Sequence, residues 1–414
     1  MRLLRQIRTF ESLGLRDYRN LWLGQLSSSM GQWMDQTSRT WLIYQITGSA
    51  LQLGLVSTAR GIPLLAFGTI AGVVADRYGR KAQLIIAQGV NAFLNVALAT
   101  LILTHYIQPW HIYLTAVLAG TVQAFQQPAR QVLVSDLVGD KHLLNAISLN
   151  SAAFNVSRSI GPAICGILIQ DFGVDVSYYT QAVLYAAATL WTAQIRIPQS
   201  TTSFKDSSKV TNQSFFSSAK DGFTYIGSQK LILALMVLAL APIVLGMPFA
   251  SLMPIFAIDV FHDGARLQGL LLTMAGVGAV VGALGIASLR RRQGNGRLLI
   301  AGAALFGLSL VLFSQSPVIS LAMASVVLVG FFGTSYNAQN QTIIQKLVPH
   351  ELRGRVLGIY LLSNGLMPLG SLLAGALAHY LGGQWAVSIM GTSCFLLAIG
   401  MGLFVPSLRR LNLV

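Results

Sequence analysis

Acidic residues are scarce in this chain. Thirteen Asp and Glu stand against 28 Lys and Arg in 414 residues, and charge of either sign makes up only 10% of the sequence. Soluble domains carry roughly a quarter of their residues charged, so this composition excludes an ordinary water-soluble globule. Cysteine is rarer still: Cys165 and Cys394 both lie inside apolar stretches, which excludes a disulfide framework and leaves them as packing residues. The six histidines, at 105, 111, 142, 262, 350 and 379, show no His-Glu-x-x-His or other ligand spacing, and no phosphate-binding glycine loop is present. Neither metal hydrolysis nor ATP drive is supported, and no metal, cofactor or enzyme activity is expected.

What the chain has is long apolar runs: 54% of it is hydrophobic and its mean hydropathy is +0.62. Segments of about 20 residues recur, the length a bilayer requires. They read as twelve spans at 21–47, 51–75, 82–104, 110–134, 143–169, 178–196, 231–258, 267–289, 298–314, 318–345, 356–381 and 385–405. The fold class expected is an all-α membrane protein of twelve transmembrane helices. With the N-terminus in the cytoplasm, 24 of the 28 basic residues fall at the termini, in even-numbered connections or at the cytoplasmic ends of the spans beside them. Arg266 lies in an outward loop, and Arg39, Arg60 and Arg158 lie within spans. Basic loops stay on the cytoplasmic side, so both termini are expected there. The net charge of +15 therefore reads as membrane orientation, not nucleic-acid binding. The basic first 20 residues lead into a full-length span, so no cleavable signal peptide is expected.

The longest connection runs from Arg196 to Lys230 and divides six spans from six: an N-terminal half at 1–197, a cytoplasmic linker at 198–229 and a C-terminal half at 230–414. Phe215, Phe216, Ala219, Phe223 and Ile226 have the spacing of an amphipathic helix on the membrane surface. The halves are weak repeats. Leu137-Val138 corresponds to Leu347-Val348 at an offset of 210, and Pro162 to Pro368. Gly72-x-x-x-Asp76-Arg77 is echoed by Gly285-x-x-x-Leu289-Arg290, where the acid is lost and Arg292 replaces the second glycine.

Between spans two and three stands Gly72-Val-Val-Ala-Asp76-Arg77-Tyr78-Gly79-Arg80-Lys81. It resembles the signature loop of the major facilitator superfamily, G-x-x-x-D-R-x-G-R-R/K, and the six-plus-six arrangement carries that resemblance over nearly the whole chain. The resemblance implies a monomeric transporter whose halves rock around a central site near the bilayer midplane. It also implies that Asp76 accepts from the N-terminus of span eleven and gates the cytoplasmic side. Gly72 and Gly79 permit close approach and a tight turn, and Arg77 or Arg80 can pair with Asp136 at the end of span four. The alternative reading of this loop is a solvated basic turn that only sets topology.

Ionised groups deep in a membrane are costly and persist where they face a cavity or a partner. Asp35 is the only acid well inside a span, since the other twelve fall at loops or ends. Asp35 and Arg60 lie at equal depth on either side of the Gly48 turn, and Arg39 is one turn from Asp35. Asp35 is thus a candidate proton-coupling residue or half of a permanent ion pair. Arg39, Arg60, Asn155 and Arg158 are candidate substrate-binding residues, with Arg158 alternatively packing on carbonyls or pairing with Asp35. Arg130, near the cytoplasmic end of span four, reads as a snorkelling side chain.

Ser157-x-x-x-Gly161-Pro162-x-x-Cys165-Gly166 looks like a partial copy of the antiporter motif of the superfamily, although Gly161, Pro162 and Gly166 equally suit helix packing and a kink. The first 180 residues resemble the bacterial branch that includes macrolide-type multidrug exporters and siderophore exporters. The resemblance implies efflux: proton-coupled antiport of a small amphipathic molecule across a bacterial cytoplasmic membrane. An importer of the same fold and a non-transporting sensor or scaffold are the alternatives.

Overall fold

The computed structural model describes residues 8–77, 79–196, 223–288 and 295–412, and within these every expected span coincides with a helical run. A short 3-10 turn, Arg8–Gly14, leads into α1, Arg16–Thr47. There follow α2, Ala50–Arg77; α3, Arg80–Leu103; α4, Pro109–Phe172; and α5, Val174–Ala193. The second set comprises α6, Lys230–Ala241; α7, Ala265–Ser288; α8, Gly296–Ser314; α9, Ile319–Leu347; α10, His350–Ser363; α11, Met367–Leu381; and α12, Gly383–Phe404. No strand pairing beyond one isolated bridge occurs among the described residues. In hydrocarbon a helix satisfies its own backbone polar groups, and apolar side chains can be left facing lipid. Ile86, Phe93, Val183, Leu190, Leu284, Leu396 and Phe404 are exposed accordingly.

Three departures from the expected spans have local causes. Spans four and five are one 64-residue helical run, broken only at Gly139, where φ is 62° and ψ 175°. That left-handed φ suits glycine and turns the chain without a loop. Span seven is not a continuous α-helix. Pro242, Pro248 and Pro254 each lack an N–H donor, and from Pro242 to Val260 the chain runs through π and 3-10 turns around a three-residue α segment. Span eleven divides into α10 and α11 at a 3-10 turn, Asn364–Leu366, just ahead of Pro368. Eight described runs are long and apolar enough to cross a bilayer by composition alone, and α1 is not one of them. It buries Asn20, Gln25, Ser28, Ser38, Asp35 and Arg39 among its apolar residues, and these polar groups lower its mean hydropathy.

The chain falls into two compact units, Met1–Ile46 with Ala59–Val210, and Thr47–Thr58 with Thr211–Val414. The division departs from the sequence repeat in one respect: the first part of α2 groups with the second unit, where Thr58 Oγ1 donates to the Pro368 carbonyl at 2.8 Å. In the first unit, α1 is tied to the second limb of α4. The Tyr18 hydroxyl donates to the Ala146 carbonyl at 2.9 Å and Trp22 Nε1 to that of Leu149 at 2.9 Å. In the second unit α7 and α9 meet backbone to backbone, since a Cβ on Gly278 would fall 2.0 Å from the Val327 oxygen and one on Gly330 2.0 Å from that of Ala275. Of the expected linker helix, Phe215, Phe216 and Ala219 lie outside the described residues. Phe223 is exposed, whereas Ile226 packs into the apolar cluster of Leu235, Leu299 and Ile344.

Candidate functional site

The charges inside the first unit converge. Asp35 and Arg39, one turn apart on α1, are 3% and 4% exposed and form a two-point ion pair, with Nη2 to Oδ1 at 2.7 Å and Nε to Oδ2 at 3.4 Å. Arg60 reaches the same Oδ2 from α2. A carboxylate far from water survives as an ion only with such partners. The two guanidinium groups are held differently. Arg39 Nη1 also donates to the Ile112 carbonyl at 3.0 Å and to Thr115 Oγ1 at 2.8 Å on α4, so it is fixed on three sides. Among the described residues Arg60 makes one ion pair, with Asp35, and no hydrogen bond to α4, and it is partly exposed, at 17%.

Glycine sets how close Arg60 comes. A Cβ on Gly120 of α4 would lie 2.0 Å from the Arg60 carbonyl oxygen, so α2 reaches this position only because residue 120 has no side chain. Next to the cluster, Ser38 Oγ lies 3.0 Å from both Cys165 Sγ and Ser177 Oγ and accepts from Gln181 Nε2 at 2.9 Å. Cys165 is thus part of a buried polar network in addition to packing. Gly161 packs closely on α1, its missing Cβ leaving 3.0 Å to Trp33 Cβ, and Pro162 and Gly166 are buried beside it.

At the end of α2 the signature loop is described in part. Gly72, Asp76 and Arg77 lie in the last turns of the helix, and the surroundings of Gly72, the side chains of Asp76 and Arg77, and Tyr78 are outside the described residues. Gly79 caps α3, and Arg80 pairs with Asp136 of α4. Lys81 Nζ donates to the Ile195 carbonyl at 2.7 Å, tying this loop to the end of the first six spans. Both ends of the Arg80–Asp136 pair are about one-fifth exposed, so solvent screens it. Replacing Asp136 with Ala is expected to cost about 1 kcal/mol. The exchange Arg80→Asp with Asp136→Arg should recover most of that loss, read as melting temperature in detergent. An exchanged pair no more stable than the single variant would show that Arg80 acts through other partners.

A cavity of about 510 Å³ opens in the same unit, lined by amides: Gln25, Gln32, Gln127, Gln131, Asn150 and Asn155. Arg130 and Ser151 add polar groups, and Val134, Leu143, Ile147 and Phe154 an apolar wall. Arg130 donates from Nη2 to Ser28 Oγ at 3.0 Å, while its buried Nε has no partner. It is therefore not a snorkelling side chain but part of a cavity wall. The four candidate binding residues are not brought together. Arg39 and Arg60 are bound to Asp35, Asn155 lines the cavity, and the Arg158 guanidinium stands 5.8 Å from the centre of the Trp33 ring. Arg158 makes no ion pair among the described residues. The cavity glutamines were missed in the sequence because single amides in apolar helices carry no motif. The signal available was their spacing, Gln25 with Gln32 and Gln127 with Gln131, one or two turns apart on one face.

An all-α chain with paired charges buried in its spans and a polar cavity among its helices has the features of a membrane transporter. Residues 7–412 match the family described as transmembrane secretion effector, and the chain belongs to it. The chain is 27% identical to the staphyloferrin A transporter of Staphylococcus aureus over 88% of its length and 90% of that protein's. It is 26% identical to the multidrug efflux pump Tap of Mycolicibacterium fortuitum, covering 94% and 95%, and 22% identical to macrolide efflux protein A of Streptococcus pyogenes, covering 95% and 96%. Among solved structures, the nucleoside transporter NupG superposes with a TM-score of 0.72 at 16% identity over 93% of this chain and 98% of that one. A D-xylose–proton symporter does so with 0.68 at 14%, covering 97% and 99%. The protein is a multi-pass membrane transporter of the drug and siderophore efflux branch, and its relatives are transporters, not enzymes.

Proposed function

We propose that this transporter is a proton-driven exporter of a small amphipathic organic compound, working as a monomer by alternating access in a bacterial cytoplasmic membrane with both termini inside. The observation that carries the reading is Asp35 shared between a fixed Arg39 and a less anchored Arg60. An adjacent cation favours the carboxylate ion and its departure favours the acid, so moving Arg60 exchanges a proton. The position of Arg60 suits this role. It is the second residue of the part of α2 that groups with the first unit, immediately after the part that groups with the second. Pro63 cannot donate to the Ala59 carbonyl one turn back, which loosens the helix at that junction. Displacement of the first part of α2 with the second unit then draws Arg60 from Asp35. The signature loop, with Gly72, Asp76, Arg77, Gly79, Arg80 and Asp136, holds the cytoplasmic ends while the site faces outward. The efflux names of its relatives support the outward direction.

The test uses inverted vesicles carrying wild-type or Arg60→Gln protein and a labelled substrate, with and without an imposed proton gradient. Wild-type vesicles should accumulate substrate only with the gradient. Arg60→Gln leaves the neutral Asp35–Arg39 pair intact, so that variant should insert normally and equilibrate substrate without concentrating it. Accumulation by the variant equal to wild type would remove Arg60 from coupling, and wild-type accumulation indifferent to the gradient would remove proton drive.

A further inference from the structure

The amide-lined cavity of the first unit carries one formal charge, and it is positive. Among the described residues Arg130 is the one ionisable group that lines it, and no carboxylate does. The Arg130 Nε is buried with no acceptor, although a guanidinium normally engages most of its five donors. Gln25 is 7% exposed, its Nε2 donates to the Asn150 carbonyl at 3.2 Å, and its buried Oε1 has no partner. These two atoms are sealed from the cavity, but Arg130 as a whole is only partly buried and its Nη1 makes no hydrogen bond among the described residues, so that edge of the guanidinium, flanked by amides, is what the cavity meets. A group that suits this wall offers a negatively charged oxygen to Arg130 and hydroxyl or amide partners to the surrounding glutamines and asparagines.

We propose that this cavity is the substrate site and that it takes an organic anion, a carboxylate bearing neighbouring hydroxyl or amide groups, and not an organic cation. The proposal rests on the transporter reading above and narrows its substrate. A lipophilic cation would meet Arg130 with no counter-charge to offset it. A carboxylate would meet a guanidinium with a free donor, flanked by amides that bind its remaining oxygens. The wall of Val134, Leu143, Ile147 and Phe154 accommodates a hydrocarbon portion, and the volume of about 510 Å³ suits a small organic molecule.

The test does not require the natural substrate. Asn155 lines the cavity and is exposed, while the two native cysteines are buried, so Asn155→Cys in the full-length protein places one reactive thiol there. Its rates of reaction with anionic sulfonatoethyl and cationic trimethylammonioethyl methanethiosulfonate are compared, each relative to a free thiol. A cation on the wall of the same partly desolvated cavity should favour the anionic reagent by about tenfold. Arg130→Gln should remove most of that preference, Arg158→Gln should remove less of it, and Arg130→Lys should retain it. Citrate and other hydroxy acids should slow labelling, and tetraphenylphosphonium should not. Faster reaction of the cationic reagent, a preference unchanged by Arg130→Gln, or failure of every hydroxy acid in a mono-, di- and tricarboxylate panel to protect would each overturn the proposal. These readouts need no gradient, so they stand or fall separately from proton coupling and export.

Discussion

Asp35→Asn is expected to lower the melting temperature sharply and to abolish gradient-dependent accumulation, while adding Arg60→Gln should restore most of the stability and none of the transport. The first expectation follows from charge. The native cluster holds one carboxylate against two guanidinium groups, and removing the carboxylate leaves both cations buried without a counter-ion. Breaking a buried pair in this way costs about 3–5 kcal/mol, most of it the desolvation of the partner left behind. Arg60→Gln removes one stranded cation. Arg39 keeps its bonds to Ile112 and Thr115, so the double variant has the same net positive charge as the native cluster, carried on a guanidinium that is still hydrogen-bonded. Transport is the discriminating readout. A permanent structural pair would recover function along with stability, because nothing but folding was lost. A coupling carboxylate would not, since the amide cannot bind and release a proton. Wild-type accumulation by the stable double variant would therefore make the cluster a structural pair, and an Asp35→Asn protein as stable as wild type would show that the arginines do not depend on it.

The spans and the buried charges were legible in the sequence for the same physical reason. Backbone in lipid must be helical, and a carboxylate in lipid must have a partner, so hydropathy located the helices and the Gly48 turn put Asp35 level with Arg60. The pairing of Arg80 with Asp136 was legible as one of two options. What the sequence did not disclose depends on three-dimensional packing. Arg130 and Arg158 look alike on paper, each a lone arginine in an apolar helix. Only the fold places one on a cavity wall and the other over the Trp33 ring. The broken course of span seven was written in Pro242, Pro248 and Pro254, but a hydropathy window averages over proline. The grouping of the first part of α2 with the second unit left no trace in the repeat pattern, because repeats record the origin of a helix and not its contacts.

Gly120→Val is expected to reproduce the Arg60→Gln phenotype without altering any charge. The Cβ of any side chain at 120 would sit 2.0 Å from a backbone oxygen of α2, and backbone cannot swing aside as a side-chain tip can. The two helices must separate, carrying Arg60 away from Asp35. Overpacking of this kind costs about 1–3 kcal/mol, enough to lower stability without preventing insertion. The same argument gives a control. Gly89 on α3 has no atom within 4 Å of where its Cβ would be, so Gly89→Ala should be neutral or should stabilise the helix by up to about 1 kcal/mol. A double-mutant cycle then separates loss of packing from loss of coupling. If Gly120 acts by positioning Arg60, adding Gly120→Val to Arg60→Gln should lower stability further yet leave the gradient dependence of transport where Arg60→Gln already put it. Independent, multiplying losses of accumulation in the double variant would mean that Gly120 only packs α2 against α4 and that the position of Arg60 does not set the coupling.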